Sequence, residues 1–143
     1  METNKVYRGR LVDHIQLVVS DVNRSKRFYS ALLEVLGIPL GGEGPGYFWA
    51  DELFVSGKDS QAAAGELTGR VHLAFAAKDQ EMVQRFHAAG LTAGGKDNGK
   101  AGPRPYHPGY YAAFLLDPDG NNVEAVFHGT PGKRNADAIE ISF

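Results

Sequence analysis

The sequence repeats itself, and that limits the folds open to it more than any other feature. The stretch HIQLVVSDVNRSKRFY, from His14 to Tyr29, lies over HLAFAAKDQEMVQRFH, from His72 to His87, at a constant shift of 58 residues. His14 meets His72, Asp21 meets Asp79, Arg27 meets Arg85 and Phe28 meets Phe86, while Ile15/Leu73 and Leu17/Phe75 stay apolar. Four identities in sixteen positions are few, but each pair has the same structural job in its copy.

In each copy the His opens a short, mostly apolar stretch suited to a sheet, Leu11 to Val19 and then Val71 to Ala77. Asp21 and Asp79 follow where an N-cap belongs, with carboxylates able to accept the free N–H groups of a first helical turn. The spacing predicts a first helix over Val22–Leu36, with Val22, Phe28, Leu32, Leu33 and Leu36 as its apolar stripe. Gly37 ends it and Pro39 prevents its resumption. A second helix is predicted over about Gln80 to Ala89, carrying Met82, Val83, Phe86 and Ala89 and stopping at Gly90.

Short strands broken by glycine come next: about Ile38–Leu40, Tyr47–Ala50 and Glu52–Ser56 in the first copy, and Leu91–Ala93, Tyr110–Leu116 and Asn121–His128 in the second. The last two are joined by Asp117-Pro118-Asp119-Gly120, residues suited to a tight hairpin turn. Each half therefore reads βαβββ, an α+β class. The expected organisation is a single domain over residues 1–129, with modules at about 10–57 and 70–129 joined by Gly57–Gly69. Residues 130–143 read as an appended tail whose final IEISF could add an edge strand.

Composition removes several classes of function. A net charge of -2 with scattered basic residues gives no phosphate-binding patch, so no nucleic-acid partner is expected. No apolar run has the length of a membrane span, and METNKVYRGR lacks the apolar core of a signal peptide, so no membrane partner and a cytoplasmic location are expected. The absence of cysteine excludes disulfides, thiolate metal sites and cysteine nucleophiles. Any metal must sit on His, Asp or Glu.

Strand alternation gives the repeat its chemistry. His14, Gln16 and Val18 share one face, and Ile15, Leu17 and Val19 the other. His72, Ala74 and Ala76 oppose Leu73, Phe75 and Ala77, and Glu124, Val126 and His128 oppose Val123, Ala125 and Phe127. The apolar faces can pack on the helices. The opposite faces hold two His and one Glu among small neighbours, a facial set that suits one divalent ion (Zn, Fe, Mn or Ni) and leaves positions open for a ligand. Taken singly, a His in an apolar strand is more often a structural residue; the recurrence of His14 and His72 at one point of both repeats favours metal binding. His128 stands roughly 13 Å along the strand from Glu124, too far to share its ion.

With these residues in view, the chain resembles the vicinal-oxygen-chelate superfamily, the group of glyoxalases, bleomycin-resistance proteins and extradiol dioxygenases. The resemblance runs from about Leu11 to His128 and rests on His14 with Asp21, Arg27, Phe28 and Tyr29, on His72 with Asp79, and on FLLDPDGNNVEAVFH at Phe114–His128. It implies two βαβββ modules in tandem, forming an incomplete curved mixed sheet around a central cavity. It also implies that His14, His72 and Glu124 are the metal ligands and that the partner is a small-molecule substrate chelated through two neighbouring oxygens. Members of this size commonly form homodimers, some by exchanging modules.

Glyoxalase I has a fourth ligand on the last strand of the first module. Here the inward residue of that strand is Leu53 or Phe54, with Glu52 the nearest carboxylate, so the general base of a lactoylglutathione lyase would be missing. Three ligands resemble the extradiol dioxygenases more closely, which also use a second-sphere His and Tyr. The proline-stiffened loop from Pro103 to Tyr111 supplies His107 and Tyr106 as catalytic candidates. Gln16, Phe48, Trp49, Arg104 and Tyr110 are the substrate-binding candidates, although tyrosines of a rigid loop and aromatics beside a core can also simply pack. A metal-dependent lyase or dioxygenase is thus the leading expectation. The alternatives are a binding protein that sequesters a small molecule without catalysis, and a relic that keeps the fold alone.

Overall fold

The computed structural model describes residues 3–63, 65–130, 132–133 and 138–143. They form ten strands and two α-helices: β1 (Lys5–Arg8), β2 (Ile15–Val18), α1 (Val22–Leu36), β3 (Gly42–Gly44), β4 (Tyr47–Ala50), β5 (Leu53–Ser56), β6 (His72–Ala76), α2 (Gln80–Thr92), β7 (Lys96–Pro103), β8 (Tyr111–Leu116), β9 (Asn122–Phe127) and β10 (Ile139–Ser142). The chain is α+β, and each module is βαβββ. The two four-stranded sheets have the same order, β2-β5-β4-β3 and β6-β9-β8-β7. In each the first strand runs parallel to the last, and the hairpin neighbours are antiparallel.

Two compact units result. The first comprises the described residues of Met1–Lys26, Gly37–Gly69 and Asn135–Phe143, and the second those of Arg27–Leu36 and Arg70–Arg134. In the first unit, Leu17, Phe48, Ala50, Leu53 and Val55 are buried on one face of the sheet. The residue pairs Gln16/Phe54, Phe54/Trp49 and Trp49/Gly42 lie on the opposite face. In the second unit, Ala113, Leu115, Val123 and Ala125 share the core with Met82, Val83 and Phe86 of α2.

The part of α1 beyond Lys26 packs in the second unit. Tyr29 donates to Asp117 Oδ2 at 2.5 Å, and Asp117 Oδ1 accepts the backbone N–H groups of Asp119 and Asn121 at 2.9 and 2.8 Å. Burial first, and then the Asp117 charge, hold the Tyr29 phenol far above its ordinary value, so it stays a donor. Both N-caps form as expected: Asp21 Oδ1 accepts from Arg24 N at 3.0 Å and Asp79 Oδ1 from Met82 N at 2.8 Å.

Several expectations need correction. The stretch 91–93 is not a strand: α2 runs through Gly90 to Thr92, and the strand that follows is β7. An added Cβ at Gly90 would lie 2.2 Å from Leu115 Cδ1 and 3.2 Å from Leu32 Cδ2, so this glycine allows close packing inside the helix and does not end it. The chain turns at Gly94 instead, with φ +101°. In the first module the strand placed at 38–40 lies at Gly42–Gly44. The link between β8 and β9 is wider than a two-residue hairpin, because Asp117 N bonds Asn121 O around Gly120 at φ +88°. The first apolar stretch forms a strand only from Ile15, since Leu11 is 94% exposed.

An N-terminal strand that the sequence pattern did not suggest, β1, pairs antiparallel with β10, so IEISF does form a strand. Residues 131 and 134–137 of the expected tail lie outside the described residues.

Candidate functional site

The second unit brings three of the expected residues together. Glu124 sits in the centre of β9, flanked in register by Ala74 of β6 and Phe114 of β8. It is 2% exposed, a carboxylate in a sheet interior. Such a charge is costly to bury unless both oxygens are occupied. His72 Nε2 lies 2.7 Å from Glu124 Oε1, and the Tyr110 hydroxyl donates to Oε2 in a very short hydrogen bond. The small Ala74 leaves space for the imidazole to reach across, and Phe114 meets the ring edge-on at 5.9 Å. His72 itself is about half exposed, so the pair is open to solvent on one side. Burial, and then Glu124, push the Tyr110 phenol well above its ordinary value and keep its proton in place.

The loop before β8 frames this cluster. His107 Nδ1 donates to the carbonyl of Pro108 at 2.9 Å, which leaves Nε2 of a neutral His107 to accept from His128 Nδ1, also at 2.9 Å. The two imidazoles stack at 5.1 Å and 19°, Tyr110 meets both edge-on, and Tyr106 meets Tyr110 in the same way. His128 was excluded from the ligand set on the strand spacing, and its pairing with His107 was not anticipated. Tyr110 and Tyr111 directly follow the loop, and Tyr111 pairs with Phe127, so the neighbours Tyr110 and His128 meet across the same two strands. Tyr106 is 68% exposed.

Arg104 has a different role from the one its charge suggests. Its guanidinium donates to the carbonyls of Gly102, Pro103 and Lys100 and lies over Phe114 at 5.2 Å. It braces the irregular end of β7.

In the first unit His14 precedes β2, its Nδ1 2.6 Å from Asp13 Oδ1 and its ring 5.2 Å from Phe54. Gln16 donates to Ser56 Oγ at 2.8 Å and Ser60 Oγ at 3.4 Å, and lines a cavity of about 290 Å³ with Val18, Ala63, Glu66, Leu67 and Thr68. Trp49 stacks flat on Phe54, 5.1 Å apart at 2°. Phe48, by contrast, faces the core and is 1% exposed. The register also resolves the choice between Leu53 and Phe54. Gln16 pairs with Phe54 as Ala74 pairs with Glu124, so a phenyl ring occupies the position in the first module that the carboxylate occupies in the second. The Glu52 carboxylate lies against Gly9, and burial raises its pKa above the usual range.

Among the described residues no three His, Asp or Glu side chains are grouped closely enough to hold an ion. His72 and Glu124 converge in one unit, and His14 belongs to the other.

The family model for the Glyoxalase/Bleomycin resistance protein/Dioxygenase superfamily matches residues 11–125. The chain belongs to this superfamily. A glyoxalase/bleomycin resistance protein from Albidiferax ferrireducens T118 is similar at 30% identity, over 81% of this chain and 97% of that one, with a TM-score of 0.65. A glyoxalase-related enzyme from Fulvimarina pelagi, at 20% identity over 87% and 94%, superposes with a TM-score of 0.63. A glyoxalase/bleomycin resistance protein/dioxygenase family enzyme from Burkholderia phytofirmans PsJN, also at 20% over 79% and 94%, gives 0.62. The last two likenesses show the fold alone. No curated protein matches the sequence. Among the described residues no helix is long and apolar enough to cross a membrane.

Proposed function

We propose that this superfamily member is a metal-dependent enzyme in which His14, His72 and Glu124 hold one divalent ion (Zn, Fe, Mn or Ni). Its substrate would be a small molecule with two neighbouring oxygens. The observation that carries the reading is the His72–Glu124–Tyr110 cluster: a buried carboxylate with an imidazole on one oxygen and a phenol on the other. The His72–Glu124 pair fits such an ion. Two donors about 2.1 Å from one metal at a right angle stand roughly 3 Å apart. His72 Nε2 and Glu124 Oε1 are 2.7 Å apart. His14 occupies the equivalent position in the first module and supplies the third donor of the set, from this chain or from the second subunit of a homodimer.

When bound, the ion would act as a Lewis acid toward the chelated oxygens and stabilise the enolate or oxyanion that forms. The chain's own groups account for the rest. Tyr110 fixes the rotamer of Glu124 through Oε2 and leaves Oε1 for ligation. His107 and Tyr106, at the rim of the same cluster, are the proton-handling groups, with the free ring nitrogen of His128 giving the His107 pair an exit to solvent. Gln16, Trp49 and Tyr110 contact the substrate. Phe54, at the position of a fourth ligand, argues against lactoylglutathione lyase chemistry, because it supplies no base. A non-catalytic binder is the second reading, favoured by the flat Trp49–Phe54 wall in the first unit.

Turnover separates the two. Metal-loaded and metal-stripped protein are assayed on catechols, glutathione hemithioacetals and epoxides. Metal-dependent turnover in one class, lost in Glu124→Gln, is the expected outcome. Tight binding of an antibiotic that is indifferent to metal, with no turnover, would replace this reading with the binder.

A further inference from the structure

We infer that Asp13, anchored by Arg8, is a positioning residue that presets the tautomer of His14 so that its Nε2 is the nitrogen offered for ligation. This rests on the metal-site reading above. Asp13 Oδ1 stands 2.6 Å from His14 Nδ1 and 3.1 Å from Arg8 Nη1. Arg8 can only donate, and an ionised carboxylate oxygen can only accept, so the proton between Asp13 and His14 lies on Nδ1. The hydrogen bond at one ring nitrogen decides the state of the other. In the neutral ring Nε2 is then left with its lone pair free.

Arg8 is held in turn. Its side chain is 11% exposed, and its guanidinium carbon lies 4.9 Å from the centre of Phe54 and 5.8 Å from that of Trp49. It projects from β1, which is tied to the chain by its pairing with β10. Phe54 also meets the His14 ring at 5.2 Å, so both the orientation of the imidazole and its proton are set by the same few groups.

The second module does not share the device. The counterpart of Asp13 one repeat on is Val71, which has no side-chain acceptor, and its N–H bonds Asn121 Oδ1. His72 has its Nε2 in a hydrogen bond with Glu124, and that shared proton has to leave before the nitrogen can ligate. The two histidines thus reach the same Nε2 donor by different routes, one prepared in advance and one not. Carboxylate partners of ligating histidines act in this way, fixing the ring and raising its basicity.

The test uses the metal-free protein first. Nitrogen-15 spectra of the His14 ring are recorded for wild type, Asp13→Ala, Asp13→Asn and Arg8→Gln, followed by zinc titration of each. Wild type is expected as the Nδ1–H tautomer. Asp13→Ala should shift the proton toward Nε2 and weaken zinc binding roughly 10- to 100-fold. Asp13→Asn, whose amide oxygen still accepts, should restore the tautomer and most of the affinity, and Arg8→Gln should fall between. Asp13 is more than half exposed, so its two variants should fold and carry the test independently of the nearly buried Arg8. A wild-type His14 protonated on Nε2, or a tautomer unmoved by Asp13→Ala, overturns the inference while leaving the metal reading intact. A wild type with the Nδ1–H tautomer that takes up no zinc overturns the metal reading, and with it the purpose assigned to Asp13.

Discussion

Glu124 is the residue on which the proposed chemistry turns, and its energetics should be visible in stability. A buried polar pair replaced on both sides by apolar side chains of similar volume is often neutral or stabilising by about 1–4 kcal/mol, whereas removing one partner is destabilising. The double variant Glu124→Leu/Tyr110→Phe should therefore unfold at about the same or higher denaturant concentration while losing metal uptake, which marks the carboxylate as kept for function. Glu124→Leu alone strands the Tyr110 hydroxyl and should be less stable. Tyr110→Phe leaves Oε2 without its donor and should cost about 1–3 kcal/mol. Equilibrium denaturation of these variants checks the pair, and a double variant that is several kcal/mol less stable than wild type would show the cluster to be structural.

At this scale the meeting of His72 with Glu124 was legible because the repeat and the two-residue alternation of strands single them out. Phe54 was not, since a shift of one residue exchanges the two faces of a strand and only the observed pairing with Gln16 fixes it. Arg8 and Asp13 left no signal either. Their arrangement depends on β1 meeting β10 from the far end of the sequence, and no local periodicity encodes such a pairing.

Among the elements, α2 shows how a correct residue-level rule can give the wrong boundary. Glycine is a common helix stop, and Gly90 follows the last residue of the apolar stripe. Its actual constraint comes from above and below the helix, where Leu115 and Leu32 leave no room for a methyl group. Gly90→Ala is the discriminating variant. Helix propensity alone would make alanine better by roughly 1 kcal/mol. Overpacking against Leu115 should outweigh that and give a net loss of about 1–3 kcal/mol, read from thermal or denaturant unfolding. A more stable Gly90→Ala protein would mean that the contact yields easily. The other boundaries that moved, β3 and β7, lie in glycine-rich stretches with little apolar patterning, whereas α1, with its long stripe between Asp21 and Gly37, has the predicted limits. The central strands β4, β8 and β9 were legible to within a residue because both their flanking turns and their apolar runs are strong.

For the molecule as a whole, the duplicated sequence became two sheets of identical strand order, and that architecture together with the family match establishes the superfamily. Family membership does not by itself assign a reaction, because the same fold serves enzymes and binders. The proposed ligand set is one imidazole and one carboxylate, 2.7 Å apart in the second unit, and the imidazole of His14, bonded to Asp13, in the first. The account stands on these three side chains serving a single ion. Calorimetric titration of zinc, manganese, nickel and ferrous iron into metal-stripped protein tests this most directly, with His14→Ala, His72→Ala and Glu124→Gln measured beside the wild type. The expected result is one ion per chain for at least one metal. Because loss of even an outer partner costs roughly 10- to 100-fold in affinity, each ligand substitution should cost about a hundredfold or more. A wild type that binds none of the four metals, or a His14→Ala protein that binds as tightly as the wild type, would contradict it.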